Sequence, residues 1–326
     1  MPISEFDLIR EYFSRRISVR DDVIIGIGDD AAILQPPAGM ALAISMDTLV
    51  DGVHFDQHSG PYSIGWKAAA VNLSDMAATG AEPAWATLSL TLPEVKADWL
   101  REFSNGLFEM LSRFDVELVG GDTSRGPLSM TVQLHGFVPV KQALGRNGAR
   151  PGDMLYLTDT VGEAGLALWC RQQQIDLPQP YGRLLMARLD RPEPRINEGV
   201  GLRELASSAI DISDGLLADL GHVCTASQVG AVINVGELPR SPAFSACAQA
   251  LLDQGLLNEE KLLSFQLSGG DDYELCFSVP LDRCHDLDSQ ATYHCIGGIE
   301  EGDGVRCRDK QGNAYQPQCS GFDHFF

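Results

Sequence analysis

Two hydrophobic periods alternate along this chain. Phe6, Ile9 and Phe13 recur at helical spacing and predict a short amphipathic helix over 5–13. Val23-Ile24-Ile25 begins a predicted strand over 23–27, and Ala31-Ala32-Ile33-Leu34 extends until Pro36-Pro37 stops it. A strand is expected over 41–45. An Ala-rich helix follows over 62–79, closed by Gly80. On that helix Ala68, Asn72, Asp75 and Thr79 share one stripe. Three of these four are polar on an otherwise apolar helix, so the stripe is expected to face something other than bulk water. A strand over 86–92 precedes a second amphipathic helix marked by Trp99, Phe103, Leu107, Met110, Leu111 and Phe114. Val116–Val119 predicts a strand that ends in Gly120-Gly121-Asp122, and Leu128, Met130, Val132 and Leu134 alternate as a half-buried strand.

Near Lys141–Asp153 the composition turns to Gly, Arg, Asn and Pro, and a domain boundary is placed there, giving domains 1–140 and 141–326. Beyond it the pattern predicts strands over 155–158, 209–212, 232–235 and 273–279, the last alternating. Helices are predicted over 163–173 and 215–226, and Arg191-Pro192-Glu193-Pro194-Arg195 forms a stiff connector. Strands and helices interleave in both halves, which gives an α/β or α+β class.

Charge narrows the partners. Asp plus Glu total 45 against 24 Lys plus Arg, a net charge of −21. That argues against nucleic acid or an anionic membrane as partner, and admits an anionic substrate only through bound cations. All eight cysteines, from Cys170 to Cys319, lie in the second half with no C-x-x-C pair, so reduced, mostly buried thiols are expected. Residues 1–10 carry no signal-peptide core and no apolar run reaches membrane-spanning length, so a soluble cytoplasmic protein is expected.

Candidate chemistry lies in five stretches that pair small residues with acids: Gly26-Ile27-Gly28-Asp29-Asp30, Asn72-Leu73-Ser74-Asp75, Gly120-Gly121-Asp122-Thr123, Asp211-Ile212-Ser213-Asp214-Gly215 and Gly269-Gly270-Asp271-Asp272. The first also fits a dinucleotide fingerprint, Gly26-x-Gly28-x-x-Ala31 after a strand, with Asp47 and Asp51 about 20 residues on. It fails on context. Pro36-Pro37 leaves no room for the helix whose N-terminus would meet a pyrophosphate, and two carboxylates would sit against it. P-loop, protein-kinase, EF-hand and G-x-S-x-G patterns are all absent. Asp30, Asp47, Asp75, Asp122, Asp211 and Asp214 remain. Brought together by folding, they suit several Mg²⁺ ions around a polyphosphate.

In order, these stretches resemble the thiamine-monophosphate kinases across essentially the whole chain. To them are added Asp47-Thr48-Leu49-Val50-x-Gly52-x-His54-Phe55, the longer run Gly269–Leu275 and the closing Gly321-Phe322-Asp323-His324-Phe325. The family stands with aminoimidazole ribonucleotide synthetase, selenophosphate synthetase and a hydrogenase maturation protein. The last two carry a reactive Cys, near the N-terminus and at the C-terminus respectively. Here the first Cys is Cys170 and the chain ends in Phe326.

The resemblance implies a two-domain synthetase-like fold, dimerisation of the N-terminal domain through its sheet, and transfer of the ATP γ-phosphate to thiamine monophosphate. It implies Mg²⁺ at Asp30, Ser45, Met46, Asp47, Asp75, Asp122, Asp211 and Asp214, ATP at Gly121, Asp122, Arg146 and Ser213, and thiamine monophosphate at His54, Asp271 and Phe322. Met46 replaces the Thr usual before Asp47 in the family, which is harmless if that position ligates through its carbonyl and loses one metal contact if it ligates through the hydroxyl. No catalytic base is implied, because the acceptor is a phosphate monoester already largely ionised at neutral pH. The runner-up readings are another ATP-dependent synthetase of this superfamily and a non-catalytic nucleotide- or metal-binding regulator.

Overall fold

The computed structural model describes residues 5–14, 20–287 and 293–317. The chain divides into two units, one of Met1–Met76 with Ala81–Ala143, the other of Ala77–Gly80 with Leu144–Phe326.

In the first unit, helix α1 (Glu5–Leu8) runs into a π-turn, Ile9–Phe13. Strands β1 (Val23–Ile25) and β2 (Ile33–Leu34) pair antiparallel. Next come β3 (Met40–Val50), α2 (Pro61–Ala78), β4 (Glu82–Leu92), α3 (Ala97–Ser112), β5 (Glu117–Arg125) and β6 (Ser129–Pro139). The sheet order is β3-β6-β4-β5, and only β4 and β5 are parallel. Register sorts the side chains into rows. Ser45, Leu134 and Ala86 share one face with Asp47, Val132 and Leu88, while Thr48, Thr131, Ser89 and Asp122 share the other. The β1–β2 pair lies over part of the second face. There Val23, Ala32 and Leu34 pack on Trp85, Val119 and Phe137, and the Trp85 indole N–H donates to Asp22 at 2.9 Å.

Two strands are longer than the pattern predicts. β3 does not end at Ser45 but runs through Asp47 to Val50, and β5 carries Gly120-Gly121-Asp122 inside it rather than past its end. Each backbone is held by its neighbour along the whole length, Met40–Val50 by Pro139–Ser129 and Glu117–Arg125 by Trp85–Leu92. Pairing overrides the low strand preference of Gly and Asp.

The second unit comprises β7 (Met154–Leu157), α4 (Glu163–Gln172), α5 (Tyr181–Asp190), α6 (Ile196–Gly201), β8 (Ser208–Asp211), α7 (Leu216–Ser227) and β9 (Gly230–Asn234). It continues with α8 (Pro242–Asp253), α9 (Glu259–Ser268), β10 (Leu275–Val279), β11 (His294–Glu300), β12 (Gly304–Arg308) and β13 (Ala314–Tyr315). Its seven-stranded sheet has the order β13-β12-β9-β11-β7-β10-β8, with one parallel pair, β12 with β9. One core lies between the sheet and α7, around Leu216, Leu220 and Val223. A second joins α4, α5, α8 and α9 around Leu166, Leu185, Phe244 and Leu262. Strand β10 lies between β7 and β8 and is buried at all five positions, so the alternation expected over 273–279 is not present. A central strand covered on both faces has no polar side to display.

The class is the expected mixed α/β (α+β) one. Among the described residues no helix is long and apolar enough to cross a membrane. Cys170, Cys224, Cys247, Cys276 and Cys307 are buried free thiols, Cys284 is half-buried and Cys295 exposed, while Cys319 lies outside the described residues.

Candidate active site

In the first unit the Gly26–Asp30 stretch forms an irregular turn after β1, and the chain then enters β2 rather than a helix. Asp29 acts as a turn residue, one carboxylate oxygen accepting the Asp30 N–H at 2.8 Å. Spacing alone leaves the two acids equivalent, and both line one cavity. Gly28 adopts φ +116° with no heavy atom within 4 Å of a Cβ built there, so glycine is required for the dihedral and not for space.

A cavity of about 840 Å³ opens between this turn, the β4–β5 pair and the Ile9–Ser14 segment. Asp30 and Asp122 both line it, together with Gly120 and Gly121. Asp122 is exposed, and the Ser124 hydroxyl donates to its Oδ2 at 2.9 Å. At Gly121 a Cβ would stand 1.9 Å from the Leu88 carbonyl oxygen, with φ at +154°.

The helix side of the sheet holds a second group. The Ser45 hydroxyl on β3 donates to Asp75 Oδ2 on α2. Asn72, one turn earlier on the predicted stripe, is 0% exposed, and its amide donates to the Ala68 carbonyl at 3.3 Å. The stripe is thus buried at Ala68 and Asn72 and half-buried at Asp75 and Thr79. Asp47 lies two residues from Ser45 on the same face, whereas the Met46 side chain is 62% exposed on the opposite one. The Met46 side chain is thus turned away from Ser45 and Asp47, which leaves only its backbone beside them. His54 follows in the turn after β3. Its Nδ1 accepts the Val50 N–H at 3.1 Å, which places the ring proton of a neutral imidazole on Nε2.

In the second unit Asp211 ends β8, 4% exposed, opposite Leu275. The segment after it is zipped to the 270–274 segment. The Asp271 N–H donates to the Ser213 carbonyl at 2.9 Å, the Tyr273 N–H to Ile212 at 2.8 Å, and the Ile212 N–H to Glu274 at 2.8 Å. Asp271 and Tyr273 hold φ of +67° and +54°, and the Tyr273 hydroxyl donates to Asp271 at 2.9 Å. Two non-glycine residues in the left-handed region mark a segment kept in shape by its surroundings. Arg146 is exposed. Its carbonyl accepts from Ser227 at 2.7 Å, while the neighbouring Gly145 carbonyl accepts the Ala209 N–H at 3.1 Å, two residues before Asp211. Phe322 lies outside the described residues.

Three acids in or beside these motifs had no assigned role. Asp219 Oδ2 accepts the N–H groups of Ser213, Asp214 and Gly215 at 3.0, 3.1 and 3.1 Å. Burial pushes its pKa up to about 7, against those three amides. Asp272 accepts the Gly162 N–H at 2.6 Å and the Ala164 N–H at 3.3 Å, at the start of α4. Glu274, 1% exposed, takes Arg195 Nε at 2.7 Å and the Thr158 hydroxyl at 2.5 Å. An acid four residues beyond the glycine that precedes a helix is the only sequence signal for Asp219. It does not separate a loop anchor from a surface acid.

Among the described residues no three His, Cys, Asp or Glu side chains are gathered closely enough to hold an ion by themselves. The donors are nevertheless hard oxygens. Mg²⁺ is characteristically held by one or two carboxylates and completed by water and substrate phosphates, so an oxygen set of this kind fits it.

Residues 28–138 match the family model "AIR synthase related protein, N-terminal domain". Thiamine-monophosphate kinase of Escherichia coli strain K12 is 47% identical, the match covering 100% of this chain and 99% of that protein. The crystal structure of thiamine-monophosphate kinase from Stenotrophomonas maltophilia K279a superposes with a TM-score of 0.84 at 42% identity, covering 97% of this chain and 99% of that one. The solved structure of AaThiL complexed with AMPPCP and TMP gives a TM-score of 0.79 at 30% identity, over 98% and 96% of the two chains.

Proposed function

The chain belongs to the thiamine-monophosphate kinase family, and on that premise we propose how its residues serve the reaction. It is an ATP-dependent kinase that phosphorylates thiamine monophosphate, giving thiamine diphosphate and ADP. The observation that carries this is identity of 47% over the full length of a named kinase, joined to the likeness to a structure holding an ATP analogue and TMP.

The obstacle is repulsion between two phosphate anions, and neither needs a proton removed by a base. Mg²⁺, several ions per site, supplies the positive charge that lets them approach and that stabilises the transferring group. Asp30, Asp47, Asp75, Asp122, Asp211 and Asp214 hold it, with Ser45 and the Met46 carbonyl. In support, Asp30 and Asp122 share one cavity, and Ser45 reaches Asp75. Gly121, Asp122, Arg146 and Ser213 contact ATP. Ser213 has its N–H and C=O engaged by Asp219 and Asp271, so it meets the nucleotide through its hydroxyl. Arg146 offers a guanidinium suited to a phosphate. His54, Asp271 and Phe322 contact thiamine monophosphate. His54 does so through Nε2, and the Asp271 carboxylate faces the thiazolium cation.

One incubation tests the whole: ATP, Mg²⁺ and thiamine monophosphate give thiamine diphosphate and an equal amount of ADP. ADP release without thiamine diphosphate, or nucleotide binding without turnover, sinks the reading.

The protein also works as a cytoplasmic homodimer. Leu42, Ile44 and Met46 alternate along β3 and stand 45%, 56% and 62% exposed, an apolar stripe on an edge strand that a second copy would cover. Ile44→Asp is expected to halve the mass measured by light scattering after size exclusion. An unchanged mass removes this stripe from the interface.

A further inference from the structure

Three successive amides at the mouth of α7, those of Ser213, Asp214 and Gly215, point at one oxygen. Such an arrangement of loop N–H groups before a helix is a general anion cradle, and in many nucleotide sites a phosphate oxygen fills it. Here the occupant belongs to the chain. Asp219 is only 3% exposed, and its Oδ2 takes all three bonds. The two acids of the loop itself, Asp211 and Asp214, are not the acceptors. The loop that Asp219 holds in turn holds another, because the Ser213 carbonyl accepts the Asp271 N–H. Asp272 repeats the device one loop away, filling the amides of Gly162 and Ala164 at the head of α4.

We propose that Asp219 is a positioning residue, a built-in acceptor oxygen that occupies the amide cradle of the Asp211–Gly215 loop and so reserves that loop for cations. The backbone there cannot grip a phosphate, because its donors are already taken. Asp211 and Asp214 keep their geometry for Mg²⁺ without needing a nucleotide to order them. The inference rests on the reading that Asp211 and Asp214 hold Mg²⁺. It also connects the two ligand sets of this unit, since a slack Ser213 loosens Asp271 as well.

The test measures rate against Mg²⁺ concentration and against thiamine monophosphate for the unaltered enzyme, Asp219→Ala, Asp219→Asn and Asp214→Asn, with thermal midpoints alongside. Asp219→Ala is expected to raise the Mg²⁺ needed for half-maximal rate by about 10-fold, with a parallel rise in KM for thiamine monophosphate. Added formate, which can enter the vacated cradle, is expected to reverse part of it. Asp219→Asn retains an acceptor oxygen and is expected to shift the Mg²⁺ requirement by about threefold, less than Ala. If Asp219→Ala does not fold, the Asn variant decides alone. A lowered thermal midpoint with unchanged Mg²⁺ requirement in both variants makes Asp219 purely structural and overturns the proposal, leaving the metal reading intact if Asp214→Asn still shifts that requirement. An unchanged requirement in Asp214→Asn overturns the metal reading and this proposal with it.

Discussion

Asp122→Asn is expected to lower kcat by about 10³-fold at ordinary Mg²⁺, with the fold intact. The size follows from the chemistry. With two anions and no proton to remove, rate enhancement comes from positioning and from cationic charge, and losing one carboxylate that anchors that charge displaces it from the reacting phosphates. The fold survives because Asp122 is exposed on β5 and asparagine keeps an oxygen for the Ser124 hydroxyl. Removing one of the three negative charges that line a single cavity, Asp29 and Asp30 being the others, relieves repulsion rather than breaking a contact. The thermal midpoint should stay within about 2 °C of the unaltered protein, since surface substitutions of this kind cost little. Near-normal thiamine diphosphate formation by the variant would end the assignment of Asp122 to Mg²⁺.

Gly121→Ala is expected to be the most disruptive change in the same motif, and for a reason unrelated to nucleotide. The added methyl group would lie 1.9 Å from the Leu88 carbonyl oxygen and 2.8 Å from its carbon, both backbone atoms of the paired strand, at a φ of +154°. Neither strand can give way without breaking the β4–β5 ladder. A loss of about 3 kcal/mol or more is expected, the upper end for overpacking joined to backbone strain. Gly120→Ala is the control. Its Cβ meets nothing nearer than the Thr87 methyl at 3.9 Å, and denaturant unfolding should place it within about 1 kcal/mol of the unaltered protein. If Gly121→Ala unfolds at the same denaturant concentration as Gly120→Ala, the strand has room the structure denies it. Lost activity in Gly121→Ala should accordingly not be taken as evidence of an ATP contact unless stability is retained.

The apolar periods marked the elements of the first unit, because a helix such as α3 must bury a face regardless of what surrounds it, but in the second unit they did not mark α5, α6, α8, α9 or β11 to β13. The strand lengths they missed were settled by neighbours. β3 and β5 run through Asp47 and Asp122 because a partner strand satisfies each backbone group, and a single segment carries no sign of its partner. Likewise the ordered acid motifs announced the chemistry and the family, yet spacing could not divide Asp29 from Asp30. In the structure both line one cavity, and Asp29 also accepts the Asp30 N–H. Nor could spacing distinguish Asp271 from Asp272. One is held by Tyr273, and the other is turned inward onto the head of α4. The anchoring acids Asp272 and Glu274 were illegible because their partners are brought in from elsewhere in the fold, while Asp219, whose partners are the nearby amides of residues 213–215, looks in sequence like any acid in a first helical turn.

Strand β3 carries Ser45 and Asp47 on one face and Leu42, Ile44 and Met46 on the other. Its length before Asp47 is therefore constrained more tightly than its composition. Exchanging one apolar residue for another along the exposed stripe leaves every side chain on its own side. Deleting a single residue between Met40 and Ser45 turns the strand over, sending a carboxylate outward to solvent or a second copy and a methionine inward toward α2. Deleting two restores the faces and shifts only how far along the sheet each group sits. In β3, changes of length by one residue are forbidden by parity, whatever the residues are.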